Sequence, residues 1–133
     1  MKDGNNINLN EYSPLVLSYL GDCVIELMVR ERLVKSGNVP PEQLHQKALL
    51  FVQATSQSKA VENILPVLTE NETDIYKRGR NAKARAPKSS SVADYKRATG
   101  MECLFGYIYL EGNNTRLNEL FDIAFGDLIF SLT

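Results

Sequence analysis

The chain has 133 residues, 44% of them hydrophobic and 23% charged, with a formal net charge of −1. That length suits a single domain over residues 1–133 with a real core, and the composition is that of an ordinary soluble globular protein. No apolar run reaches the length of a membrane span, and Met1-Lys2-Asp3-Gly4-Asn5-Asn6 lacks the apolar region of an export signal, so a cytoplasmic protein is expected.

Taken in order, the chain reads as helices throughout. Ser13-Pro14 is an N-cap followed by proline at the first helical position, and Gly37 supplies a stop, which predicts a helix over Pro14 to Ser36. Asn38-Val39-Pro40-Pro41 is a turn, and Pro41 opens a second helix carrying Leu44, Ala48, Leu49 and Phe51. Ala60, Val61, Ile64 and Leu65 have helical spacing in a third segment, about Ser56 to Leu65, which Pro66 ends. Thr69 with Glu72 forms a capping box for a fourth helix with Ile75 and Tyr76. From Gly79 to Ser91 large apolar side chains are almost absent, so a mobile basic loop is expected. Ser91 with Asp94 starts a helix that runs to about Glu111 before Gly112, and a last helix begins near Thr115. No segment shows sustained period-two alternation, so the fold class is all-α, with five to seven helices. Cys23 and Cys103 are too few for a disulfide scaffold and are expected as small core residues.

The near-neutral total hides a segregation of charge. Between Lys77 and Arg97 there are eight basic residues against the single acid Asp94, a net of +7, which leaves −8 on the rest of the chain. Lys77, Arg78, Arg80, Lys83, Arg85 and Lys88 are therefore candidate contacts to a polyanion, and a mobile loop that orders on a nucleic acid fits them. Tyr76 and Tyr95 flank this segment, but two tyrosines do not make a stacking platform.

Two carboxylates sit where the pattern predicts apolar helix. Asp22 follows Gly21 inside Leu15-to-Met28, and both residues carry local penalties: a carboxylate among aliphatic side chains and a glycine within a helix. Glu102 lies in an equally apolar stretch near Gly106. Either an edge-of-core hydrogen bond or a site explains Asp22 alone. Two such carboxylates on separate helices, beside a phosphate-attracting segment, fit one Mg²⁺, which takes few protein oxygens and keeps waters. Glu26 is expected to pair with Arg30 one turn on. His45, the single histidine, is expected at the surface, without the partners a zinc site needs.

At these stretches the sequence resembles the ribonuclease III family. Leu20-Gly21-Asp22 is similar to the core of its signature helix, and Glu102-Cys103-Leu104-Phe105-Gly106 to its second acidic helix. Pro14-Leu15, Leu44-His45, Arg78-Gly79-Arg80-Asn81-Ala82-Lys83 and Gly106-Tyr107-Ile108-Tyr109-Leu110 extend the likeness to the stand-alone branch, Mini-ribonuclease III. The resemblance implies an all-helical, Mg²⁺-dependent endonuclease domain, acting as a homodimer on double-stranded RNA and leaving 5′-phosphate and 3′-hydroxyl ends. It implies a role in trimming both ends of the 23S ribosomal RNA precursor. It makes Asp22 a metal ligand that assists as general base, and Glu102 a second metal ligand. The wider family has further carboxylates where this chain has Leu15, Ser18 and Thr99, so two acids stand where that family has more. A higher Mg²⁺ requirement is expected, or a site completed by waters held by Ser18 and Thr99. No double-stranded-RNA-binding domain is expected, and the basic loop takes its place. Tyr19, Val16 and Val24 are expected in the dimer interface. The competing readings are a non-catalytic RNA-binding or ribosome-associated module, and a purely helical interaction protein.

Overall fold

The structure, a computed structural model, describes residues 8–83, 85–88 and 91–132. Its six α-helices are α1 (Pro14–Ser36), α2 (Pro41–Leu49), α3 (Ala54–Ile64), α4 (Glu70–Arg80), α5 (Val92–Glu111) and α6 (Asn114–Ser131). Three single 3₁₀ turns, Leu9–Glu11, Leu50–Val52 and Leu65–Val67, complete the regular structure, and no strand occurs among the described residues. The all-α expectation holds.

Local chemistry accounts for the helix limits. Ser13 Oγ accepts from the amide of Leu15 with Pro14 at the first helical position, and α1 stops before Gly37. The Thr69–Glu72 capping box is complete: Glu72 N donates to Thr69 Oγ1 at 3.2 Å and Thr69 N to Glu72 Oε1 at 2.9 Å. Ser91 Oγ accepts from Asp94 N at 3.0 Å, and α5 ends at Gly112, whose φ of +79° favours glycine. Two boundaries differ from expectation. Phe51 lies in the 3₁₀ turn after α2. The fourth helix continues through Gly79 to Arg80, because α4 packs along α5 there, and the basic loop is correspondingly shorter. The mobility expected there falls in part on residues 84, 89 and 90, which lie outside the described residues.

Helix α5 is the centre of the molecule. Met101, Cys103, Leu104, Phe105 and Ile108 on it are almost wholly buried. It packs chiefly against α1 on one side and α4 on the other, with α3 also in contact. A helix apolar on nearly all sides belongs inside a bundle. Phe51, Phe121 and Phe125 form an aromatic cluster at the α3–α6 side, with ring centroids 5.6 and 5.2 Å apart.

Both helix packings against α5 use glycine. A Cβ on Gly21 would overlap the carbonyl oxygen of Glu102 and stand 2.9 Å from Gly106 N. A Cβ on Gly106 would overlap the carbonyl oxygen of Leu17. A Cβ on Gly79 would come within 2.9 Å of Gly100 Cα, and one on Gly100 within 2.8 Å of the Tyr76 carbonyl. The three backbones therefore touch directly. Arg116 of α6 ties the α4 end of the bundle: its Nε and Nη2 donate to Glu72 at 2.8 and 2.7 Å, and Nη2 also reaches the Val67 carbonyl at 2.8 Å. Those bonds hold the Glu72 carboxyl below its ordinary range against the opposing effect of burial.

Candidate active site

The two anomalous carboxylates meet where α1 and α5 cross. Gly21 lets the α1 backbone lie against the carbonyl of Glu102, so the residue after Gly21 stands beside the Glu102 side chain. Asp22 itself is exposed, contrary to the burial its apolar neighbours imply; Gly21 is the residue turned into the core. Glu102 is the half-buried member of the pair. Burial, with the Asp22 charge and a hydrogen bond between the two side chains adding to it, pushes the Glu102 carboxyl up to about 8. At neutral pH and without metal the Glu102 carboxyl therefore keeps its proton.

Asp22 and Glu102 line two adjoining hollows. One, of about 280 Å³, continues past Glu26, Val29, Arg30, His45 and Phe51. The other, of about 220 Å³, is closed by Ala54, Asp94, Tyr95 and Ala98. Both are also walled by Val52 and Gln57. An apolar groove of about 350 Å³ between α1 and α2 holds neither carboxylate.

Ser18 and Thr99 take another part. Both are buried; Ser18 Oγ donates to the Thr99 carbonyl at 2.7 Å and Thr99 Oγ1 donates to the Tyr95 carbonyl at 2.9 Å. The first bond ties α1 to α5, the second lies within α5, and neither residue lines the two hollows. Glu26 pairs with Arg30 at 2.7 Å, as its spacing predicts, while still facing the larger hollow. His45 is exposed, also as expected. Cys103 is buried, its thiol pushed up to about 11 by desolvation, but Cys23 is exposed on the outer side of α1, which corrects its expected place in the core.

The candidate RNA contacts divide. Lys77, Lys83, Arg85 and Lys88 are exposed. Arg78 is half-buried and donates to the carbonyls of Tyr12 and Asn10 at 3.3 and 3.4 Å, so it holds the N-terminal turn. Arg80 lies 5.8 Å from the centre of the Tyr76 ring and donates to Asn81 Oδ1 at 3.2 Å. Lys83 and Arg85 share an open basic depression with Asn81, Ala82 and Lys96. Lys96 carries no sequence signal beyond its share of the charge, because its meeting with the loop depends on how α5 begins.

Carboxylate oxygens brought together in this way are the donor set of a hard divalent cation, whose charge would replace the proton held by Glu102. Among the described residues no group of three or more His, Cys, Asp or Glu side chains gathers to hold a metal. Two carboxylates with the remaining ligands supplied by water or phosphate fit Mg²⁺.

This helical bundle with a paired-carboxylate crossing matches a known enzyme class. The family model described as the Ribonuclease III domain matches residues 15–113. The chain is 49% identical to the Mini-ribonuclease 3 of Symbiobacterium thermophilum, an alignment covering 84% of this chain and 86% of that protein. It is 41% identical to the Mini-ribonuclease 3 of Brevibacillus brevis, over 87% of each. A crystal structure of a Fusobacterium nucleatum protein superposes with a TM-score of 0.78 at 31% identity, covering 96% of this chain and 98% of that one. The chain belongs to the ribonuclease III family, in the branch of the Mini-ribonuclease 3 proteins, and is an RNase III-type endoribonuclease. No helix among the described residues is long and apolar enough to cross a membrane.

Proposed function

We propose that the chain is a Mg²⁺-dependent endoribonuclease that cuts double-stranded RNA to 5′-phosphate and 3′-hydroxyl ends, as a homodimer. The observation that carries the reading is the convergence of Asp22 and Glu102 at the α1–α5 crossing. These two carboxylates would hold the cation, which when bound supplies an activated water and neutralises charge on the scissile phosphate. In this reading the exposed Asp22 accepts the proton of the attacking water, and the half-buried Glu102 of α5 is the second ligand. Lys83, Arg85 and Lys96 neutralise neighbouring phosphates of the duplex.

One domain carries one carboxylate pair, so cutting both strands requires a second copy related by two-fold symmetry. Val16, Tyr19, Leu27 and Val34 lie at helical spacing on the outer side of α1, all more than half exposed, with Tyr19 at 85%. This apolar stripe is the surface we assign to the dimer. Val24, expected there, is only 5% exposed and belongs to the core of its own protomer. From the likeness to the Mini-ribonuclease 3 proteins, we further propose the precursor of 23S ribosomal RNA as the natural substrate and the cytoplasm as the place of action.

The direct test is cleavage of a perfect RNA duplex at saturating Mg²⁺. Asp22→Asn lowers the rate at least a hundredfold with the fold intact by circular dichroism; unchanged cleavage would remove Asp22 from the mechanism. Loss of all product when EDTA replaces Mg²⁺ is expected alongside.

A further inference from the structure

Two carboxylates leave most of a six-coordinate Mg²⁺ shell to water, and waters at a metal need acceptors that hold them. Ser18 and Thr99 have given their hydroxyl protons to backbone carbonyls and lie outside the hollows. Glu26, paired with Arg30, lines only the larger hollow, and Asp94, which accepts from Ser58 Oγ at 3.0 Å, lines only the smaller. Besides Asp22 and Glu102, Gln57 is the polar side chain that walls both hollows.

Its setting is that of a fixed group. Gln57 is half-buried on α3, and its Nε2 donates to the Phe51 carbonyl at 2.7 Å. Phe51 is 1% exposed and its ring packs at a tilt against Phe125, centroids 5.6 Å apart, so the anchor sits in the core. With Nε2 committed, Oε1 has no donor among the described residues. A carboxamide oxygen accepts a hydrogen bond from water without adding charge to a site that already holds two acids in contact.

We propose that Gln57 is a positioning residue of the Mg²⁺ site, its Oε1 holding a water that completes the shell beside Asp22 and Glu102. This rests on the metal-dependent reading above and adds a third element, α3, to a site that the carboxylates alone assign to α1 and α5. The bond to Phe51 fixes the carboxamide before the cation arrives, so that water is ordered at little conformational cost.

The probe is Mn²⁺, counted as free ion by electron paramagnetic resonance in the absence of RNA, with metal-free melting curves as a control on folding. Gln57→Met keeps the length of the side chain and loses the water acceptor; Mn²⁺ affinity falls about tenfold. Gln57→Glu also loses the bond to Phe51 but keeps an acceptor and adds a charge, and its Mn²⁺ affinity rises above that of the unmodified protein. A purely structural role weakens both variants alike, because both lose the same anchor, and that result would overturn the proposal. Unchanged affinity in both would overturn it too, while leaving the metal site standing if Asp22→Asn abolishes binding in the same assay. An unmodified protein that binds no Mn²⁺ would remove both this inference and the metal-dependent reading.

Discussion

Glu102 shows how one residue carries two demands. Its carboxyl is raised to about 8 by burial and by Asp22, so the neutral form is the one the metal-free fold prefers. The sign follows from linkage: a carboxyl with a raised folded pKa imposes no penalty below its ordinary value near 4.5, and an increasing one as pH climbs through 8. With EDTA present, the melting temperature of the unmodified protein is expected to fall between pH 5 and pH 9. Glu102→Gln, which cannot ionise, should flatten that decline and melt higher at pH 9 while losing cleavage. If both proteins show the same pH profile, the pair is not strained in the absence of metal.

At the scale of the elements, the α4–α6 connection and the basic loop make separate predictions. Arg116 and Glu72 are a nearly buried, bidentate pair. Arg116→Met leaves the Glu72 carboxylate without its partner and should cost about 3 kcal/mol in urea unfolding. Replacing Lys83, Arg85 and Lys96 together with Gln should weaken duplex binding and flatten its salt dependence by about one unit of slope for every phosphate no longer neutralised. Stability should barely change, since Lys83, Arg85 and Lys96 are exposed. These elements also show what a sequence can convey. Ser13-Pro14, Thr69 with Glu72 and Ser91 with Asp94 act within a few residues of themselves, and the helix starts they predict are the ones observed. The partners of Gly21 and Gly79 lie far along the chain, so their glycines signal only that something approaches closely. The same holds for side. Asp22, Cys23 and Val24 are adjacent letters in one apolar run, and only the packing of α1 on α5 turns the first two outward and Val24 inward. Arg78 and Gln57 are illegible for that reason: one joins a basic run yet braces Tyr12, the other sits in a polar stretch yet walls the site.

Across the whole molecule, charge and apolar surface are separately placed. The Lys77-to-Arg97 segment carries +7 on a body that is otherwise −8, so a duplex is attracted to one region and repelled by the remainder. The outer stripe of α1 is apolar and includes Tyr19 and Leu27, 85% and 63% exposed. Tyr19→Glu with Leu27→Glu should convert a dimer to a monomer in analytical ultracentrifugation and abolish double-strand scission, with the protomer still helical. An unmodified protein that sediments as an active monomer would remove the paired-site argument.

The contact of Gly21 with Glu102 and Gly106 fixes how closely the two backbones that carry the acids approach. Leu17, Leu104 and Phe105, large side chains of the same two helices, are almost wholly buried. Apart from Glu102, the buried side chains that give the fold its durability are thus distinct from the carboxylates proposed to hold the cation. Apolar exchanges elsewhere in the interior can drift over evolutionary time, or be chosen by an engineer seeking heat resistance, while the catalytic gauge keeps its setting. At the two glycines and at Glu102 the adjustments are locked together.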